Sequence, residues 1–248
     1  MENKIRALRS EMGLSQEAAR TGPLAGYAPA GQGFPHSPRN FCTKYGKESR
    51  RMPKQSPTQR EDREQNLLDA AYRLFMSKGQ PKTSIDDIVQ EAQVAKGSFY
   101  TYFKNKDDLT QKLVDKLCTR ILRESYAASR QMPAADFADR VVHLMDQIIE
   151  HFKRNKLQLY LIRRNFSWPM VEHELSQPSD PVWQDLASAL EHSPLMERYT
   201  SEELFRLIFV LVEMCGSICY ASIIEGRPAG IEQMKPILYD IVRKSLES

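Results

Sequence analysis

The chain has 248 residues, 41% hydrophobic and 27% charged, a balance that supports a real core and excludes a wholly unfolded chain. Its net charge of +3 is unevenly shared: residues 1–106 hold 18 Lys+Arg against 11 Asp+Glu, and residues 107–248 hold 17 against 21. A basic front joined to a mildly acidic body suits a nucleic-acid-binding head on a body with another task.

Met1 to Arg20 alternates charged and apolar residues with no signal-like apolar core, so a cytoplasmic protein is expected. Cys42, Cys118, Cys215 and Cys219 are then expected as reduced thiols and not as a disulfide framework. Lys4 to Arg9 and Gly13 to Glu17 resemble the opening of a lambda-repressor-like helix-turn-helix domain, a match that stops near Ala19. Residues 21–58 are rich in proline and glycine and poor in large aliphatics, so they read as a disordered linker. The organisation expected is an extension over 1–57, a helix-turn-helix DNA-binding domain over 58–106, and a helical effector-binding and dimerisation domain over 107–248.

From Thr58 onward the apolar spacing is helical, with no sustained strand-like alternation, so the fold class is all-α. Thr58 and Glu61 have capping-box spacing, Leu67, Ala71, Leu74 and Phe75 share one face, and Gly79 with Pro81 ends this first helix. Thr83 and Ser84 are alternative N-caps of a short second helix, with Asp86 and Asp87 in its first turn and Ile85, Ile88, Val89 and Ala92 inward. Its first N–H groups and the two hydroxyls form a natural phosphate clamp.

After a break at Gln93 and Val94, Phe99 and Phe103 anchor one side of a third helix, which displays Lys96, Ser98 and Tyr100 on the other. Small residues at its start let such a helix enter a major groove about 12 Å wide. Lys96 and Ser98 can reach base edges or phosphates there, Tyr100 and Tyr102 offer hydroxyls to phosphates, and Lys104 and Lys106 extend the basic rim.

The run Leu67 to Leu109, with Thr83-Ser84-Ile85-Asp86-Asp87-Ile88 and Lys96-Gly97-Ser98-Phe99-Tyr100-Thr101-Tyr102-Phe103-Lys104-Asn105-Lys106, resembles the TetR/AcrR family of repressors. The resemblance implies that Thr83 and Ser84 contact phosphates, that Lys96, Gly97, Ser98 and Tyr100 are recognition-helix contacts, and that Lys106 touches the DNA backbone; Tyr102 is added to these. Two positions depart from the family pattern: Gln93 stands where a turn glycine is usual, and Val89 where alanine is usual. A left-handed Gln93 would be strained by roughly 1 to 2 kcal/mol.

Asn105, with Asp107 and Asp108, caps a fourth helix through Leu109, Leu113, Leu117 and Ile121 that leaves the head without a break. A helix over about 134–154 carries Phe137, Val141, Leu144, Met145, Ile148 and Phe152, and shorter apolar pieces follow over 157–166 and 182–190; together these can wall a pocket. His143 and His151, with Asp146 and Glu150 nearby, read as a solvated face and not as metal ligands.

Thr200 and Glu203 form another capping box, and residues 204–224 are apolar on nearly every face. Their length spans a bilayer, but Arg206 and Glu213 would each cost roughly 2.5 to 3.5 kcal/mol near its centre, so no membrane partner is expected. The better partner is the last helix, about 231–246, whose Ile231, Met234, Ile237, Leu238, Ile241 and Val242 form a stripe and whose Pro236 fits only near the first turn. The resemblance implies a four-helix bundle across a two-fold axis, hence a homodimer on a palindromic double-stranded DNA operator.

Phe152, Tyr160, Trp168, Met170, His173, Met214 and Tyr220 are the candidate pocket residues for a small apolar or amphipathic effector. Cys215 and Cys219 stand one turn apart without a familiar metal-ligand spacing, so no metal or cofactor is assigned. No G-x-S-x-G, H-E-x-x-H, P-loop or paired C-x-x-C motif is present, so no catalytic residue is assigned and an enzyme is not expected. The alternatives to a ligand-released repressor are a protein-interaction adaptor of the same fold and a DNA-binding regulator without a ligand.

Overall fold

The computed structural model describes residues 57–247, and these form helices joined by short turns, with no strand among the described residues. The expectations for residues 1–56, Cys42 among them, lie outside the described residues. The helices are α1 (Pro57–Lys78), α2 (Ile85–Glu91), α3 (Lys96–Tyr102), α4 (Lys106–Ser129), α5 (Phe137–Arg154), α6 (Lys156–Asn165), α7 (Trp168–Ser176), α8 (Pro181–Glu191), α9 (Leu195–Arg198), α10 (Ser201–Tyr220) and α11 (Ile231–Glu247).

Local signals set most boundaries. Gly79 at φ 85° ends α1 in a conformation that only glycine adopts at little cost, and its N–H donates to the Phe75 carbonyl. The Ser84 N–H donates to Asp87 Oδ2 at 2.7 Å while the Asp87 N–H donates to Ser84 Oγ at 3.1 Å, a closed capping box. Asn105 caps α4 by accepting from the Asp108 N–H at 2.8 Å, and Thr200 with Glu203 caps α10.

One expected cap and one expected proline position differ. The helix already includes Pro57 and Thr58 where the described residues open, so Thr58 lies inside α1 and not ahead of it. Pro236 lies in the second turn of α11, where its missing N–H removes a backbone hydrogen bond.

One core runs from head to body. Leu67, Leu68 and Phe75 of α1, Ile88 of α2, Phe99 and Phe103 meet Leu109, Leu113 and Val114 at the head end of α4, and the same core continues through Ile121, Val142, Ile149 and Leu238. Each such buried aliphatic stabilises by roughly 1.5 to 3 kcal/mol relative to exposure. A second, smaller cluster gathers Val171, Val182 and Trp183 beside Leu122 and Tyr126 of α4.

The acidic face of α5 is half-buried and paired, where its charge pattern alone reads as a free solvated face. Lys235 of α11 pairs with Asp146 at 2.8 Å and with Glu150, the Tyr239 hydroxyl donates to Asp146 at 2.5 Å, and Arg243 donates to Asp139 at 3.0 Å. A polar seam therefore joins α5 to α11, a partner no local periodicity reveals.

Candidate nucleic-acid interface and effector cavity

The α2–α3 turn depends on Gln93, whose φ of 56° makes it the positive-φ non-glycine among the described residues. The Val94 N–H donates to the Val89 carbonyl at 3.0 Å, so the turn closes although glycine is absent. Val89 is buried, and its extra methyl groups are absorbed by the core.

Phe99 and Phe103 are buried with ring centroids 5.5 Å apart, which fixes the rotation of α3 and turns Lys96, Gly97 and Tyr100 outward. Tyr100 is 54% exposed, and a Cβ added at Gly97 would meet nothing within 4 Å, so this surface is open to a groove. Lys96 pairs with Asp86 of α2 at 2.7 Å, and this hydrogen bond raises its already high pKa, so it is fully charged at neutral pH.

The residues expected to clamp phosphates are placed differently. Thr83 is 1% exposed and its hydroxyl donates to the Gly79 carbonyl at 2.9 Å, so that side chain is structural. The Ser84 hydroxyl donates to Asp87, and this shell, led by the Ser84 N–H, holds the Asp87 carboxyl far below the usual range. Lys106 turns its ammonium inward, donating to the carbonyls of Gln80 at 3.2 Å and Thr83 at 3.0 Å, and so props up the loop before α2. Tyr102 is half-buried beside Phe103.

The body encloses a cavity of about 1310 Å³. Every residue of the expected α5 stripe faces it, from Phe137 to Phe152, as do Leu159, Ile162 and Phe166 from the next expected stretch and Trp183, Leu186 and Leu190 from the one after. Cys118, Ile121, Leu122 and Tyr126 of α4 complete the wall facing the head.

Among the seven individual candidates, Phe152 and Met170 line this cavity, and the others do not. Tyr160 is 39% exposed and pairs with Tyr220, their centroids 6.3 Å apart. Trp168 donates from Nε1 to Glu213 at 2.8 Å and packs on Phe209. His173 lines a separate polar groove with Lys112 and Arg123, and Met214 packs into the main core. The lining missed by residue type is aliphatic and thiol: Ile208, Leu211, Cys215 and Cys219 of α10, at spacings of three and four.

Residues 67–113 match the family model of bacterial regulatory proteins of the tetR family. The sequence is 31% identical over 106 residues to the uncharacterized HTH-type transcriptional regulator YhgD of Bacillus subtilis (strain 168), covering 42% of this chain and 53% of that protein. It is 26% identical over 198 residues to the uncharacterized HTH-type transcriptional regulator YvdT of the same organism, covering 77% of this chain and 98% of that one. A solved TetR-family transcriptional regulator from Streptomyces coelicolor shares the fold with a TM-score of 0.55 at 18% identity, covering 76% of this chain and 97% of that one. The chain spans about half or less of the length of the first curated relatives it matches.

Proposed function

Because the chain belongs to the TetR family of bacterial regulatory proteins, we propose that it is a cytoplasmic, homodimeric transcriptional repressor released from a palindromic operator by a small apolar or amphipathic effector. The observation that carries this reading is the course of α4. Its first turns pack Leu109 and Leu113 against the head, and its later turns present Cys118, Ile121, Leu122 and Tyr126 to the cavity. A ligand that moves the cavity end of this helix moves the head with it, which is the coupling free energy an effector needs.

In this reading Lys96, Gly97, Ser98 and Tyr100 face the major groove, Tyr102 and Lys104 flank it, and Lys106 holds the loop that seats the second helix. Thr83 and Ser84 act by shaping that loop. The dimer forms through α10 and α11, which expose Phe209, Val210, Val212, Ile237 and Ile241. By length and composition Ser201–Glu225 could also cross a membrane, but Arg206 and Glu213 oppose insertion, and a second copy covers the same apolar surface without burying those charges in lipid.

The experiment is selection of bound sequences from a random duplex library by the full chain, followed by mobility shifts on the enriched site. The reading expects two inverted half-sites, one helical turn or a multiple apart. Recovery of no enriched sequence, or of a single asymmetric half-site, would overturn it.

A further inference from the structure

Three thiols line the cavity. Cys118, on α4, is pushed up to about 12 by burial, which makes it an inert wall. Cys215 and Cys219 differ: they lie one turn apart on the cavity stripe of α10, with their Sγ atoms 4.0 Å apart. The hydrogen bond from Cys215 holds the Cys219 thiol below its ordinary value, with help from the Lys235 ammonium against burial, while the same bond and burial push Cys215 up.

We propose that Cys215 and Cys219 are a dithiol site within the cavity that captures a trivalent organoarsenical through two arsenic–sulfur bonds. Distance separates this from a disulfide, whose sulfurs stand about 2.05 Å apart and would have to close half the present gap within one helical turn. A pyramidal bridging atom with bonds to sulfur of about 2.3 Å, the length of a zinc–thiolate bond, holds two sulfurs about 3.5 Å apart, so the present 4.0 Å gap closes by a small side-chain rotation with the backbone in place. Among the described residues no three His, Cys, Asp or Glu side chains group as metal ligands, so a four-coordinate ion has no shell here.

Charge separates the arsenical from a soft monovalent cation. Two thiolates around such a cation leave a net negative charge in a largely apolar cavity, and the nearby Lys235 ammonium is already engaged by Asp146 and Glu150, so that charge is costly. The arsenical adduct is neutral, and its organic substituent fills apolar space. The step balances without an oxidant: the arsenic dihydroxide and two thiols give the dithioarsenite and two waters, each S–H proton leaving on an arsenic-bound oxygen.

The regulatory meaning of this site rests on the effector reading above, whereas the capture does not. The test titrates the reduced full chain with phenylarsine oxide, following intact mass and free thiols. One adduct per chain with loss of two of the four thiols is expected, C42S matching the unaltered chain and C215S, C219S and C219A each binding at least tenfold more weakly. Circular dichroism melts identify variants that remain folded. Capture that ignores Cys215 and Cys219, or no capture, overturns the site. In a parallel mobility shift on the selected operator, release on capture supports the effector role, and an adduct that leaves DNA bound overturns that role while the site stands.

Discussion

The Gln158 side-chain amide donates to the Tyr72 hydroxyl at 2.7 Å, joining α6 of the body to α1 of the head across 86 positions of sequence. The Gln158 carbonyl oxygen pairs in turn with His151 Nε2 at 2.7 Å, one residue from the cavity-lining Phe152. Gln158 is buried, so removing one partner strands another polar group. Gln158→Leu is expected to destabilise the chain by about 1 to 3 kcal/mol in urea unfolding. A cycle with Tyr72→Phe should show less than additive loss; strict additivity would mean the two groups are energetically separate.

Gln93 carries the turn at φ 56° without a glycine. Strain of roughly 1 to 2 kcal/mol is relieved by glycine and partly offset by the entropy glycine loses on folding, about 0.5 to 1 kcal/mol. Gln93→Gly is therefore expected to raise the urea midpoint slightly, by about 1 kcal/mol at most, and Gln93→Val to lower it. The reverse order of midpoints would show that the side chain makes a contact worth more than the strain.

The Lys96–Asp86 pair is exposed, so it adds little to stability, and its weight falls on DNA binding. Asp86→Asn removes a negative charge beside the proposed groove-facing surface, and tighter DNA binding is expected at low salt. Lys96→Ala should weaken binding and, where the ammonium meets a phosphate, lower the salt slope by about one. Fluorescence anisotropy across a potassium chloride series reads both, and unchanged curves for both variants would remove α3 from the interface.

Glu150 is held below the usual carboxylate range by hydrogen bonds from Lys153 first and Lys235 second. A lowered folded value means that its contribution is present above the unfolded pKa of about 4.3 and is lost as pH falls through the folded value. The lysines, Lys153 raised by Glu150 first and Lys235 by Asp146 and then Glu150, lose theirs only at alkaline pH. Glu150→Gln is therefore expected to narrow the difference in urea midpoint between pH 7 and pH 3. An unchanged difference would place the acid sensitivity elsewhere, for instance at Asp139, which Arg243 also lowers.

Caps and turns were legible because their chemistry is local. Ser84, Asn105, Thr200 with Glu203, and the left-handed Gln93 each act within four residues of themselves. The pocket was legible as stretches but not as side chains: α5 is amphipathic, so its stripe announced its inner face, whereas α10 is apolar all round and its composition carries no phase. Choosing aromatics and methionines there selected Tyr220 and Met214, off the stripe that places Leu211, Cys215 and Cys219 at the cavity. Thr83 was misplaced for a related reason, since a hydroxyl at a helix start reads as a surface donor until the fold buries it against Gly79. The α5–α11 seam was illegible because Lys235 meets Asp146 and Glu150 only through tertiary packing.

The apolar surface left by α10 and α11 supplies the last expectation. Val210 and Ile237 are each 57% exposed, too open for residues that only serve this chain's core. In the proposed homodimer they lie in a buried interface, where a charge without a partner is strongly unfavourable and, by the symmetry of the contact, enters twice. Val210→Glu and Ile237→Glu should therefore yield monomers in sedimentation velocity, with thermal unfolding that depends less on protein concentration than that of the unaltered chain. Tyr100→Glu, equally exposed but on the head, should leave the dimer intact and abolish operator binding. If the α10 and α11 variants sediment as the unaltered chain does, the self-association surface lies elsewhere. If the unaltered chain is itself monomeric at micromolar concentration, the two-headed reading of a palindrome fails with it.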